Sequence, residues 1–286
     1  SPSFSEDQVC TYISGWMTEK GITHDRVGNN IIACHIFGQD YPTLMLCAHI
    51  DTVSPCEGYT FDPYRPENCP ADMVQGLGSN DDGASVVSMI AAYRYFTQQG
   101  TSGTDYPGVN LMLVLSCEEE RSGVNGMTGL WPQIKDKVDF AIVGEPTGMK
   151  AATAERGLLV IDATAHGVSG HAARNEGINA ISIAMEDIFR LQNHEFSRIS
   201  PRMGKVNLNV TQINAGTAHN VIPDTCTFVI DIRPTEQYTN EKIFAELQQI
   251  CRSELKPRNL KNRSSATFED SHLQLTAEKL GIETFS

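Results

Sequence analysis

Short apolar runs alternate with helix-spaced segments through the first half of the chain, and this alternation restricts the fold more than any other feature. Ile31 to Phe37, Thr43 to Ala48, Val109 to Ser116 and Val138 to Gly144 read as buried strands. Asp7 to Lys20 carries Val9, Ile13, Trp16 and Met17 at helical spacing and stops at Gly21, while Gly83 to Gln99 and Val124 to Ile134 read as further helices. Strands connected through helices pair in parallel, because a parallel pair needs a crossover long enough to hold a helix. The expected class is therefore α/β with a mostly parallel sheet. The polar, Pro-containing stretch from Thr52 to Gln75 interrupts this rhythm as one long loop.

From Gly157 the pattern changes to longer alternating strands (LLVIDATAHG, KVNLNVTQI, TCTFVIDIR) around two amphipathic helices, Ile178 to Gln192 and Asn240 to Leu255. A second, smaller α+β domain is expected over 157–258. The basic run KPRNLKNRSS then suits a linker, and a helix from about Ser271 to Leu280 lies in a stretch, 259–286, expected to return to the first domain (1–156).

At 286 residues, with 40% hydrophobic and 20% charged side chains, the chain can bury a sizeable core. Its 22 basic and 35 acidic residues leave a net charge of −13, which repels phosphate backbones and anionic membrane surfaces and argues against nucleic acid as a partner. No apolar run approaches the roughly 18 residues of a membrane span. The eight cysteines are scattered without a C-x-x-C pair, several inside apolar runs, as small hydrophobes in a reducing compartment would be. A soluble cytoplasmic protein is expected.

The chemistry is concentrated just past the strands. His49 follows LMLCA, Glu118 to Glu120 follow NLMLVLS, and Glu145 follows FAIVG. In a parallel sheet those strand ends share one edge, where α/β proteins place their sites. The pair His49-x-Asp51 offers an imidazole ligand whose second nitrogen a carboxylate can hold. Three consecutive glutamates after a buried strand repel one another unless a cation or a proton is shared among them. One Glu can then coordinate while its neighbour moves protons. Asp81 closes the loop Gly76-Leu77-Gly78-Ser79-Asn80-Asp81 at a helix entry, where it could also serve as a cap. That loop is a poor dinucleotide fingerprint, since an acid stands where the third glycine belongs. One His with several carboxylates suits two divalent ions sharing a bridging Asp better than a thiolate zinc site. Serine-hydrolase, P-loop and H-E-x-x-H signatures are absent, and Cys117 beside the glutamates is a poor nucleophile because their charge suppresses its thiolate.

Six ordered motifs carry a resemblance: HID at 49–51, GLGSND at 76–81, CEEERSG at 117–123, VGEPT at 143–147, GVSGH at 167–171, and NVIPD at 220–224 with DIR at 231–233. Together they resemble the dizinc amidohydrolases and metallopeptidases, the family of acetylornithine deacetylase, succinyl-diaminopimelate desuccinylase, aminoacylase and glutamate carboxypeptidase. The resemblance spans nearly the whole chain and is nearest to acetylornithine deacetylase. It implies a zinc-hydrolase catalytic domain with an inserted lid and dimerisation domain, and two Zn2+ per subunit, with Co2+ an alternative. His49 and Glu145 would bind one ion, Glu120 the other, and Asp81 would bridge both; the loop continues D81-D-G-A where the family has D-M-K-G or D-D-K-G, which leaves Asp82 as the rival to Asp81. Asp51 would orient His49, and Glu119 would be the general acid/base. His171 would reach across a homodimer to stabilise the oxyanion, and Asn220 and Arg233 would hold the substrate. The family's further zinc-ligating His lies beyond residue 286, so the second site is expected to be incomplete within these residues.

The function so implied is removal of an N-acyl group, acetyl or succinyl, from a small N-acyl amino acid, foremost acetylornithine in arginine biosynthesis. A dipeptidase or carboxypeptidase on the same scaffold is the first alternative, and an inactive metal-binding or dimerising fragment the second.

Overall fold

The computed structural model describes residues 1–67, 69–99, 108–174, 176–266 and 271–286, and the chain divides into two compact units, Ser1–Pro146 and Thr147–Ser286.

The first unit runs α1 (Asp7–Glu19), β1 (Asp25–Val27), β2 (Asn30–His35), β3 (Thr43–His49), α2 (Gly83–Arg94), β4 (Asn110–Ser116), α3 (Met127–Ile134) and β5 (Phe140–Val143). Its five strands form one sheet in the order β1-β2-β4-β3-β5. The β4-β3-β5 portion is parallel, as the strand–helix alternation predicts. At the other edge β1 and β2 are antiparallel, a hairpin that escapes a sequence reading because β1 is three exposed residues. Successive strand residues face opposite sides, and both sides of the central strands β3 and β4 are buried, whereas the edge strands β1 and β5 are largely exposed. Leu111, Leu113 and Leu115 pack with Leu46, Ala48 and the apolar faces of α1 and α2. Met112 and Val114 pack with Met45, Cys47, Leu130 and Ile134 on the α3 side. Leu113 is fully buried at the centre, and truncating it to Ala would cost about 2–5 kcal/mol.

The second unit contains β6 (Ala151–Ala152), β7 (Ala154–Glu155), β8 (Leu159–His166), β9 (Gly170–His171), α4 (Ala180–Gln192), β10 (Asn207–Ala215), β11 (Val221–Ile222), β12 (Thr225–Arg233), α5 (Asn240–Ile250), β13 (Glu254–Pro257), β14 (Ser265–Ala266), α6 (His272–Lys279) and β15 (Thr284–Phe285). Its main sheet is antiparallel, in the order β10-β12-β8-β13. Alternate residues Leu159, Ile161, Ala163 and Ala165 of β8 and Cys226, Phe228, Ile230 and Ile232 of β12 face the helices α4 and α5, which complete one apolar core. Asn179 and Thr239 cap these helices by accepting the amides of Ile181 and Lys242, which ties their starts to the ordinary N-cap chemistry of short polar residues.

One sequence expectation changes. The helix expected over Asn240 to Leu255 ends at Ile250, because Ser253 is captured by Asp187 and Leu255 turns into the apolar core as part of β13. The stretch 259–286 has β14 paired with β7 and β15 with β6, strands that lie within 1–156, while the compact units divide after Pro146. No helix among the described residues is long and apolar enough to cross a membrane.

Candidate metal centre

Parallel pairing aligns the chemistry. His49 is the last residue of β3 and sits in register with Ser116, the last residue of β4, while Cys47 is in register with Val143 at the end of β5. The three stations that follow these strands therefore emerge at one sheet edge. His49 is 3% exposed. Its Nε2 lies 3.0 Å from Asp81 Oδ1 and 4.0 Å from Glu119 Oε2, and its Nδ1 lies 3.0 Å from the Asp51 carbonyl and 3.4 Å from Asp51 Oδ1.

Asp51 is a hub. Its Oδ1 accepts the Glu119 amide at 3.0 Å, and its Oδ2 accepts the Glu120 amide at 3.2 Å and the Ser3 hydroxyl at 2.6 Å. Burial works against its charge, but the hydrogen bonds from His49, Ser3 and the two amides outweigh burial and hold the carboxyl down at about 2.

The loop before α2 separates Asp81 from Asp82. Asp81 is half exposed and faces the imidazole, whereas Asp82 is buried and accepts the His49 amide through Oδ2 at 3.1 Å. The two residues thus take different tasks, ring contact and backbone support, and only Asp81 joins a metal-type cluster. The peptide between them is cis. Gly78, at φ 79°, makes this loop possible: a Cβ there would collide with Thr52 Cγ2.

Two groups of ligand atoms converge within 4.8 Å: His49 with Glu119 and Glu145, and His49 with Asp81 and Glu120. Among the described residues, His49 is the only ion-pair partner of these four carboxylates. The surroundings of Glu119 and Glu145 resist their ionisation. Burial raises Glu119, and the neighbouring acids Glu120, Asp51 and Asp81 add to it against the pull of His49. Burial and the Glu119 charge push Glu145 up to about 7. Burial opposes the charge on His49, but the surrounding carboxylates, Asp51 foremost, raise it to about 10. A hard-oxygen and imidazole set short of positive charge fits divalent cations of the zinc type. A cavity of about 770 Å³ between α1 and α2 touches His49, Asp51 and Asp82 but none of Glu119, Glu120 and Glu145, so it lies beside the acid cluster rather than over it.

The second unit holds the other candidates. His171 on β9 pairs with Val221, and the Ala172 amide donates to the Asn220 carbonyl at 3.0 Å, so His171 and Asn220 share one exposed corner. Arg233 closes the far end of nine-residue β12, roughly 26 Å along the strand from the end nearest that corner. Its guanidinium fork is engaged by Asp231, with Nε and Nη2 at 2.9 and 3.1 Å from the two carboxylate oxygens. Sequence reasoning missed the supporting role of Asp82 and the buried Glu118; the acidic pair Asp81-Asp82 was visible, but which one turns inward is decided by the loop.

Comparison with known proteins then adds the family context. A model described as peptidase family M28 matches residues 30–151, and one described as peptidase dimerisation domain matches 153–259. A succinyl-diaminopimelate desuccinylase of Pelagibacter ubique is 27% identical over 231 residues, covering 74% of this chain and 57% of the relative. A peptidase M20 domain-containing protein of Schizosaccharomyces pombe is 27% identical over 250 residues, covering 85% of this chain and 59% of the relative. The chain thus spans less than two thirds of the length of both. Among solved structures, an aminopeptidase of Bacillus cereus superposes with a TM-score of 0.75 at 20% identity, over 99% of this chain and 79% of that one. A dinuclear metal-binding peptidase of the M20 family from Bacillus subtilis gives 0.67 at 17% identity, over 99% and 77%.

Proposed function

We propose that this chain, which belongs to the dinuclear metallopeptidase and amidohydrolase family, contributes the active site of a metal-dependent hydrolase that removes an acyl group from the nitrogen of an amino acid. The observation that carries the reading is the convergence of His49 with Asp81, Glu119, Glu120 and Glu145 at one strand edge, with no other ion-pair partner among the described residues. In this reading His49 and Glu145 would hold one ion, Glu120 the other, and Asp81 would serve both. Two zinc ions, or cobalt in their place, would supply Lewis-acid polarisation of the acyl carbonyl and ease deprotonation of water.

The protein's own part is division of labour. Asp51 fixes the tautomer and direction of His49. Glu119, raised by burial and by its acidic neighbours, takes the proton of the attacking water and delivers it to the departing amine. Asp82 holds the backbone of the ligand His49. On the second unit, His171 is assigned to oxyanion stabilisation in a homodimer, which the match to a dimerisation domain supports. Arg233 is assigned to the substrate, exchanging Asp231 for a substrate carboxylate, and Asn220, which shares the His171 corner at the other end of β12, is assigned to the substrate together with His171 across the homodimer. We retain 1–156 and 157–258 as catalytic and lid regions. The eight free cysteines support a reducing, cytoplasmic setting.

The names of the relatives support succinyl-diaminopimelate as the first substrate to try. Acetylornithine, and with it a place in arginine biosynthesis, is the second, on the motif resemblance. A peptide amide is the third, on the solved aminopeptidase and metallopeptidase neighbours. The test is turnover of these three by zinc-loaded protein beside Glu119→Gln. Loss of most of kcat in a mutant that keeps its zinc is expected; normal turnover by Glu119→Gln would remove Glu119 from the role.

A further inference from the structure

The turn after β4 has an unusual backbone arrangement. Four consecutive amides donate to side-chain oxygens: Cys117 to Asn30 Oδ1, Glu118 to Glu6 Oε1, and Glu119 and Glu120 to the two oxygens of Asp51. Glu118 stands in the left-handed region at φ 58° and is 5% exposed. Its carboxylate accepts the Asn125 amide and side-chain nitrogen at 3.0 and 2.7 Å.

Two of these acceptors lead back to the first residues of the chain. Glu6 precedes α1 yet does not cap it; it is 0% exposed and gives Oε1 to the amides of Phe4, at 2.9 Å, and Glu118, at 3.1 Å. Its Oε2 has no hydrogen-bond partner among the described residues. Ser3 reaches the same turn through Asp51, and the Thr52 amide donates to the Ser1 carbonyl, which lays the segment along the loop that carries His49. A buried carboxylate with one oxygen unpaired is costly, and the contact it makes fixes a residue adjoining the acid cluster.

We propose that Ser3 and Glu6 are positioning residues of the metal centre: Ser3 through Asp51 and Glu6 through the Glu118 amide, they hold the turn that presents Glu119 and Glu120. Neither touches a ligand atom. The reason such a device is needed lies in the turn itself, where three adjacent glutamates repel one another and would otherwise splay. Buried acceptors fix the backbone so that the repulsion is borne by side chains aimed at a cation. The proposal rests on the metal-centre reading above.

The test separates the two. Hydrogen exchange on the metal-free chain follows the peptide covering 117–121 in the parent and in Ser3→Ala, Ser3→Thr, Glu6→Ala and Glu6→Gln. Zinc affinity is then measured for each by competition with a chelating dye, with Ile183→Val in the second-unit core as a control for general destabilisation. Faster exchange at 117–121 in both Ala variants, zinc binding weaker by about 10- to 100-fold, and values close to the parent in Ser3→Thr and Glu6→Gln, which keep the hydroxyl and the accepting oxygen, are the expected results. Parent-like exchange and affinity in both Ala variants would overturn the positioning role while leaving the metal centre standing. Affinity lowered as much by Ile183→Val would also overturn it. Faster exchange in the Ala variants beside a parent that binds no zinc would instead refute the metal-centre reading, and the positioning role with it.

Discussion

Asp51 and Asp187 are both buried carboxylates, one in each unit, and their surroundings differ in a way that separates structure from chemistry. Asp187 on α4 accepts the Arg252 and Ser253 amides and the Ser253 hydroxyl, and pairs with Arg190 at 3.2 Å. Every charge near it is answered, and its effect is to tie the start of β13 to α4. Asp51 is just as well supplied with donors, but beyond it stand Asp81, Glu119, Glu120 and Glu145, of which only Asp81 and Glu119 have an ion-pair partner among the described residues, the one His49. A satisfied buried acid stabilises a chain crossing, whereas crowded acids short of positive charge are costly until a cation joins them. The first arrangement serves the fold and the second serves function.

Breaking the structural member should give the largest effect on stability. Asp187→Ala leaves the Arg252 and Ser253 amides and the Ser253 hydroxyl without their acceptor, and a loss of about 2–4 kcal/mol is expected. Denaturant unfolding measures it, and zinc affinity should not change. A comparable gain should follow from completing the other member: zinc at about 100 times its dissociation constant stabilises the folded state by about 2.7 kcal/mol. Thermal melts with and without zinc check this, and an equal gain in His49→Ala would erase the contrast.

A pH titration sharpens it further. Burial, then the Glu119 charge, raises Glu145 from 4.5 to about 7 in the metal-free fold. A raised acid contributes stability that is fully present below pH 4.5 and is lost as pH climbs through about 7. Metal-free protein should therefore become less stable across that window, and Glu145→Gln should flatten the slope. The smallest effect belongs to an exposed fork on the second unit, Arg258 with Asp162 at 2.7 and 2.9 Å; Arg258→Ala should leave stability close to the parent's because solvent screens the pair, measured by the same denaturant curves.

The comparison also explains what the sequence revealed. The strands that lead to His49, Glu119 and Glu120 were legible because both of their faces are buried, so β3 and β4 read as continuous apolar runs that end at the acidic stations, whereas β5 before Glu145 reads as an apolar run although its end is exposed. The cores of β8 and β12 were legible from strict alternation. What stayed hidden was contact across long separations. Ser3 and Asp51 are 48 residues apart, and Glu6 and Glu118 are 112 apart; no spacing rule joins a serine or a glutamate to a turn that distant. The end of α5 was missed for the same reason, since Asp187, on another helix, draws Ser253 away from it. Asp81 and Asp82 were both visible, but their opposite directions follow from the loop that Gly78 permits.

The central claim, that the acid cluster of the first unit is built for divalent metal, is tested most directly by elemental analysis of zinc-reconstituted protein alongside His49→Ala and Asp187→Asn. The account predicts bound zinc in the parent, a clear loss in His49→Ala, and parent-like zinc in Asp187→Asn. A parent that holds no zinc, or a His49→Ala variant that holds as much as the parent, would contradict it.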